Sequence, residues 1–580
     1  MMADEPTHGF ADSRRLPGPN RDFGAAAVTL TPLGSAATNP AAAEAWAGYV
    51  RATAAALGWT DPEPRIRRHA GGTTLLFRAP PDLLLTATDL NEWAWERAAA
   101  DCGDTGFDRA QDLGPDPVPA LRARAESERL ARLEALRRAA ASRGVALVED
   151  DALVSLGTGA GSRVWPRNDL PAVDRVPWQD LYDVPTVLVT GSNGKTTTVR
   201  VLAAIAAAAG LTPGLSSTEG VVIGGDVVLR GDYSGPDGAR TVLRDARVGA
   251  AILETARGGI LRRGLAVARA GAAIVTNISA DHLGEYGVDR AADLAETKLA
   301  VAFAVADGGT LVLNAADETL MSAVARLPHA AAAYRAGFAP DHEHPELERL
   351  RAAGGTTCGV RGGELLLSHR GVEHDLGAVA AMPLNVGGAA PYNVANLAAA
   401  ALAAVALDWP VSAVRATLER FGAHPDDNVG RLERRRHRGA HVLIDYAHNP
   451  DALSNLLRVA RALAPRRLLL LLGQAGNRSD GAIADLVRTA VSFAPDRVVV
   501  KELAAMLRGR APGEVPALIL RELIAAGLPS ERIALEFDEE AAAGLLLDEA
   551  QAGDVIVLPI HTAAVRDRLA ARLRPTAASP

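Results

Sequence analysis

Cysteine is nearly absent. The two in this 580-residue chain, Cys102 and Cys358, lie far apart without His or Cys neighbours at ligand spacing, which argues against a disulfide framework or a zinc site and fits a reducing cytoplasm. Aromatic residues make up 4% of the chain, a scarcity that accompanies abundant Ala and Gly and decides nothing about function. No basic surplus exists: 61 Lys and Arg stand against 69 Asp and Glu, a net charge of −8. Non-specific nucleic-acid binding, which needs excess positive charge on one face, is therefore not expected. The start MMADEPTHGFADSRR lacks the apolar core of a signal peptide, and the alanine-rich runs elsewhere are broken by charges or stop short of a bilayer span. The expectation is a soluble, cytoplasmic protein that binds small molecules and neither nucleic acid nor membrane.

At roughly 150 residues per domain, the length allows about three or four domains. Residues 1–155 read as an α+β N-terminal domain, with strand-like runs at Ala26–Thr31, Thr73–Phe77 and Leu83–Thr86 and one long charged helix near Pro119–Ser142. The Pro-punctuated, non-periodic stretch Ser162–Trp178 reads as the heart of a linker, 156–183. From Val184 a strand, a glycine-rich turn and a helix ending at Gly210 follow one another. Apolar runs at Gly249–Leu253, Ala272–Val275 and Thr310–Leu313 alternate with helical patterns, as in a parallel, helix-covered sheet. This central domain, 184–427, closes with a helix opening at Asn393. The alternation restarts after about Gly430, so 428–575 reads as a smaller doubly wound domain.

The segment Gly191-Ser192-Asn193-Gly194-Lys195-Thr196-Thr197 follows an apolar strand and opens a helix. That is the context a phosphate loop requires. Glycines turn backbone N–H groups inward and the helix N-terminus adds positive potential. Lys195 can reach the β- and γ-phosphates of ATP, and the Thr196 hydroxyl can ligate Mg²⁺. A simple tight turn is the bland alternative.

The compact G-S-N-G-K-T-T form of this loop resembles the Mur-ligase family. So do three later segments: Leu253-Glu254-Thr255-Ala256-Arg257-Gly258-Gly259, Thr276-Asn277-Ile278-Ser279-Ala280-Asp281-His282-Leu283-Gly284, and Glu296-Thr297-Lys298-Leu299. The resemblance implies a multidomain α/β architecture with a P-loop central ATPase domain, a Rossmann-like C-terminal domain and an α+β N-terminal domain. It also implies ATP-driven amide synthesis through an acyl phosphate. Glu254 is then expected to hold Mg²⁺, although a lone strand-end Glu is more often solvated or a helix cap. His282 is expected on a second Mg²⁺; chemistry alone favours a general base or structural donor, because Mg²⁺ prefers oxygen. Lys298 is expected to carry a carbamate and serve as a metal ligand and catalytic group beside Lys195, where a helix lysine is ordinarily a solvated face. In Pro391-Tyr392-Asn393-Val394-Ala395-Asn396 the resemblance makes Asn396 a nucleotide contact and leaves Asn393 as an N-cap. In Gly430-Arg431-Leu432-Glu433 and Asp445-Tyr446-Ala447-His448-Asn449-Pro450 it sets Arg431 on the phosphates, with a plain surface charge as the alternative, and Asp445, His448 and Asn449 along the cleft.

Further strings resemble the cyanophycin-synthetase branch of the family: Ser216-Ser217-Thr218-Glu219-Gly220, Gly231-Asp232-Tyr233-Ser234-Gly235-Pro236, Glu254–Arg262, and Val500-Lys501-Glu502. Gly18-Pro19-Asn20 is weakly similar to its N-terminal domain. There is no room between Leu156 and Val184 for the ATP-grasp module of that branch, so one ligation rather than an alternating polymerisation is expected, with a separate ATP-grasp synthetase as a candidate partner. Leu503–Leu507 stands where acidic residues are expected, which puts arginine as substrate in doubt. The implied substrates are ATP, a carboxylate-bearing peptide-like acceptor and an amino acid. Competing readings are a peptidoglycan- or folate-type ligase and a non-catalytic nucleotide-binding partner subunit. Oligomeric state, including a homo-oligomer, stays open.

Overall fold

The computed structural model of the chain describes residues 9–104, 113–281 and 283–574. It divides into two compact units: one reaches to Cys358 and takes in 367–373 and 399–413, and the other holds 359–366, 374–398 and the chain from Val414 on.

The first unit opens with strands β1 (Phe10–Leu16), β2 (Ala27–Pro32), β3 (Arg65–His69) and β4 (Gly72–Arg78), an antiparallel sheet in the order β1-β2-β4-β3. Val28, Leu30, Leu75 and Phe77 alternate onto one face, where they bury with Trp46 and Trp95 of helices Pro40–Ala56 and Leu84–Asp101. Both indole N–H groups are satisfied, by Asn91 Oδ1 at 3.0 Å and the Gly9 carbonyl at 2.6 Å. The first helix starts where Asn39 accepts from the Ala41 N–H and Pro40 supplies a pre-set φ.

Two expectations fail here. Leu83–Thr86 is no strand; it opens the helix Leu84–Asp101, because a short apolar run has no period of its own and the buried positions continue through Leu90, Trp93 and Ala94. The single long helix near Pro119–Ser142 is two, Val118–Glu128 and Ala131–Arg143, separated by extended backbone at Arg129 and Leu130. The expected linker is also structured. Strands β5 (Leu147–Glu149), β6 (Leu153–Leu156) and β7 (Arg163–Pro166) form a small antiparallel sheet, and Leu133, Leu136, Val154, Leu170, Val176 and Leu181 bury together.

Strands β8 (Thr186–Thr190), β9 (Pro213–Ser217), β10 (Gly220–Ile223), β11 (Asp226–Arg230), β12 (Ala250–Glu254), β13 (Ala270–Val275), β14 (Val305–Asn314) and β15 (Tyr334–Asp341) run in the order β11-β10-β9-β12-β8-β13-β14-β15. Pairing is parallel from β9 to β15, and β10 and β11 add an antiparallel edge. Strands β8 and β12 are buried at every position, as continuous apolar runs between helix layers must be. Three short strands follow, β16 (Thr356–Arg361), β17 (Glu364–His369) and β18 (Val372–Ala378), which are shared between the units.

The second unit carries β19 (Glu433–His437), β20 (Ala440–Asp445), β21 (Leu468–Leu472), β22 (Arg497–Val500), β23 (Ile533–Leu535) and β24 (Val555–Pro559), ordered β19-β20-β24-β21-β22-β23. Only the β19–β20 pair is antiparallel. The five leucines of β21 alternate between two cores, Leu468, Leu470 and Leu472 on one side and Leu469 and Leu471 on the other, so both faces of this doubly wound sheet are covered.

Candidate active site

Strand β8 ends between the ends of β12 and β13, with Val189 opposite Glu254 and Thr190 opposite Val275. From β8 the chain crosses to β9 and β12 on one side and later to β13 and β14 on the other. The crevice beyond Thr190 is thus the switch point at which open α/β sheets hold ligands. Gly191 leaves the strand at φ +145°, and a Cβ there would stand 1.8 Å from Thr276 Oγ1; no side chain fits. Gly194, at φ +85°, immediately precedes helix Lys195–Ala208.

The loop is held from behind by the segment after β13. Thr276 Oγ1 donates to the Asn193 carbonyl at 2.6 Å, Asn277 Oδ1 accepts the Asn193 N–H at 2.9 Å, and the Ser192 N–H reaches the Asn277 carbonyl at 2.9 Å. The Ser279 N–H donates to Ser192 Oγ at 3.0 Å. That segment is tied down in turn: Asp317 accepts the Ile278 N–H at 2.6 Å while capping helix Glu318–Arg326, and Asn314 Nδ2 donates to the Thr276 carbonyl at 3.2 Å.

Lys195 Nζ donates to the carbonyls of Gly191 and Ser192 at 3.1 and 3.0 Å. Lys298, at the end of helix Ala291–Lys298, reaches the same Gly191 carbonyl at 2.8 Å. Burial, followed by the nearby Lys195 charge, holds the Lys298 amine well below the ordinary lysine range, which favours the neutral, nucleophilic form. Thr196 Oγ1 donates to Glu254 Oε2 at 2.8 Å, and Glu254 Oε1 is buried without a hydrogen-bond partner. A hydroxyl and a carboxylate with one uncommitted oxygen are hard donors, and they fit Mg²⁺ shared with phosphate oxygens. His282 lies outside the described residues. Among those described, no cluster of three His, Cys, Asp or Glu could hold a metal by itself.

In the second unit, helix Pro391–Ala406 begins two residues before Asn393, so Asn393 is not the N-cap. Proline starts the helix, and the buried Asn393 side chain instead donates to the Leu384 carbonyl at 3.0 Å and accepts from Asn396 Nδ2 at 3.1 Å. Arg431 lies over the Tyr446 ring, 4.6 Å from its centroid, and donates to the Gly430 carbonyl. Asp445 Oδ2 accepts the Leu432 N–H at 2.6 Å, which ties Arg431's loop to the end of β20, and burial pushes this carboxyl above its usual range. Asn449 caps helix Pro450–Ala462 through the Ala452 N–H, and the His448 carbonyl accepts from Gln474 at 2.8 Å.

Sequence reading missed a buried cluster at the carboxyl ends of these strands. Lys501 Nζ donates to Glu539, to the Pro559 carbonyl and, at 3.2 Å, to His561 Nδ1. Desolvation lowers His561 to about 4 and Lys501 to about 8, whereas the His561 and Lys501 partners hold the Glu539 carboxyl far below its usual range despite burial. The only local signal was a lysine directly after the apolar run of β22.

This geometry places the first unit among P-loop nucleotide-binding folds. Residues 189–404 match the Mur ligase middle domain and residues 430–559 the Mur ligase glutamate ligase domain, together well over half of the chain; it belongs to the Mur ligase family. The chain is 35% identical over 403 residues to cyanophycin synthetase of Trichormus variabilis, covering 69% of this chain and 44% of that protein. To the Synechocystis cyanophycin synthetase it is 31% identical over 491 residues, 81% of this chain and 54% of the relative. It thus spans about half the length of the curated relatives it matches. The solved structure of E. coli FolC in complex with DHPP and ADP aligns over 67% of this chain and 88% of its own at 18% identity, with a TM-score of 0.48. No described helix is long and apolar enough to cross a membrane.

Proposed function

We propose that this chain is an ATP-dependent carboxylate–amine ligase that forms a C–N bond by way of an acyl phosphate. One observation carries the reading: the Thr196 hydroxyl and the half-committed Glu254 carboxylate meet at the mouth of a lysine-bearing phosphate loop. Residues Gly191–Thr197 bind the ATP phosphates with backbone N–H groups, and Lys195 moves from its carbonyl acceptors to the β- and γ-phosphates. Thr196 and Glu254, with His282 and a carbamylated Lys298, would hold Mg²⁺. The ion, when bound, neutralises charge on the phosphates. A carboxylate oxygen of the acceptor attacks the γ-phosphorus and ADP leaves. The amine nitrogen of the second substrate then attacks the acyl carbon, phosphate departs with the bridging oxygen, and the nitrogen releases a proton. The chain's part is positioning and charge neutralisation, the usual burden in phosphoryl transfer. Asn396, Arg431 and Asp445 are further proposed nucleotide contacts.

The proposed substrates are a peptide-like carboxylate acceptor and an amino acid. A separate ATP-grasp synthetase as partner and a cytoplasmic setting belong to the same proposal. The test is phosphate release from ATP with candidate acceptors and amino acids, with and without an ATP-grasp protein. Release by the chain alone that disappears in Lys195→Ala supports the ligase. Release that comes only from the added protein and ignores this substitution sinks it.

A further inference from the structure

Gly18-Pro19-Asn20, singled out by sequence but given no role, lies against the segment that follows helix Arg257–Arg263, downstream of Glu254, and the adjacent Arg21 reaches the helix that ends in Lys298. A Cβ on Gly18 would stand 2.0 Å from the Leu265 carbonyl oxygen, and the Leu265 N–H donates to the Pro19 carbonyl at 2.7 Å. Gly264 and Leu265 end the short helix Arg257–Arg263 that follows Glu254. Asn20 makes the turn rigid: buried, it donates to the Gly18 and Ala25 carbonyls and accepts the N–H groups of Asp22 and Phe23. The next residue, Arg21, points the other way. Its guanidinium, with a side chain 6% exposed, donates to Glu296 at 2.9 Å and to the Gly287 carbonyl at 3.2 Å, and stands 3.5 Å from Asp293. Glu296 and Asp293 lie on the helix that ends in Lys298, and Gly287 belongs to the loop that leads into it. Arg14, on β1, reinforces the same span by donating to the Leu261 carbonyl and stacking on Tyr286 at 4.5 Å.

We propose that the N-terminal sheet is a clamp on the phosphate site and that Arg21 is its positioning residue, fixing the Lys298 helix relative to the helix Arg257–Arg263 that follows the Glu254 strand. The inference rests on reading Thr196, Glu254 and Lys298 as the phosphate and metal ligands. Physically, one rigid turn bridges the helix whose Lys298 donates to the Gly191 carbonyl and the segment that ends the excursion after the Glu254 strand. A planar guanidinium with several donors suits such bridging better than an ammonium does. Groups that orient metal ligands from behind typically change metal affinity or activity by about 10–100-fold when removed.

The test uses the full chain with Arg21→Ala, Arg21→Lys and Glu296→Gln. Arg21→Ala is expected to raise the Mg²⁺ concentration for half-maximal ATP-dependent ligation by about tenfold or more, with KM for ATP close to wild type and a lowered melting temperature, since Glu296 and Asp293 lose a buried partner. Arg21→Lys should recover part of the loss. Amide hydrogen exchange over 283–298, measured without nucleotide, should quicken in Arg21→Ala and in Glu296→Gln. Wild-type Mg²⁺ dependence together with unchanged exchange overturns the clamp. If Arg21→Ala does not fold, Glu296→Gln alone decides in the same two readouts. Absence of ligation by the wild-type chain would count against the proposed function, and the exchange measurement would still decide the clamp.

Discussion

Thr196 donates to one oxygen of Glu254 at 2.8 Å and leaves the other oxygen of that carboxylate buried and unpartnered. A buried carboxylate oxygen is costly to leave bare, so the arrangement favours a cation beside it. Glu254→Gln keeps the size and removes the charge. It is expected to lower ATP-dependent phosphate release by about two orders of magnitude, whereas Thr196→Ser, which keeps the hydroxyl, should remain within about threefold. Initial rates across a Mg²⁺ titration check both.

Gly191→Ala puts a methyl group onto Thr276 Oγ1 at a φ that side chains avoid. ATP affinity is expected to fall by more than about tenfold while the fold survives. Calorimetric titration with a non-hydrolysable nucleotide, alongside a melting curve, separates the two effects.

Lys298→Met removes a buried amine while the Gly191 carbonyl keeps Lys195 as donor. The variant should be inactive, yet more stable by about 1 kcal/mol, because a buried amine beside the Lys195 charge no longer has to be desolvated. In the wild-type chain, native mass spectrometry in bicarbonate buffer should show the added mass of one carbon dioxide, lost on acidification and absent from the variant. A bare wild-type lysine under those conditions removes the carbamate from the scheme.

Acid should destabilise the chain over two overlapping pH windows. His561 titrates at about 4 in the folded chain and at 6.5 ordinarily, so between those values the unfolded chain takes up a proton that the folded chain refuses. Stability falls as pH drops through that window, by about 3 kcal/mol in all. Glu539 is depressed, so the stability it contributes is present above its ordinary 4.5 and is lost at still lower pH. Urea midpoints from pH 7 to pH 4 should show the loss, and His561→Gln should flatten the upper part. A variant with the wild-type slope would refute the assignment.

The phosphate loop was legible because Gly191–Thr197 are contiguous and obey local rules, whereas Glu254 and Lys298 were singled out only through a resemblance to a family. Gly191 and Gly194 mark positive φ, Lys195 opens a helix, and Glu254 ends a fully apolar strand. Several strands of the two parallel sheets were legible too, since burial on two faces writes an unbroken apolar run such as Leu468–Leu472, whereas β9 and β15 were not read as strands. What sequence concealed depends on partners distant in the chain. Nothing near Asp317 or Asn277 announces that they brace the phosphate loop, and nothing near Lys501 announces Glu539 and His561. Leu83–Thr86 misled for a different reason: three leucines and a threonine fit a strand and a helix equally, and only packing against Trp46 and its neighbours decides between them. The unbroken helix expected near Pro119–Ser142 failed because Arg129 and Leu130 have ordinary helical propensity, so the break between the two helices leaves no mark in composition.

The carbonyl of Gly191 accepts from both Lys195 and Lys298. It therefore works as a berth with a spare mooring: Lys195 can depart for an arriving phosphate without stranding the oxygen, since Lys298 stays. On the proposed reading, the loop exchanges one lysine partner for a ligand while the Gly191 carbonyl stays hydrogen-bonded.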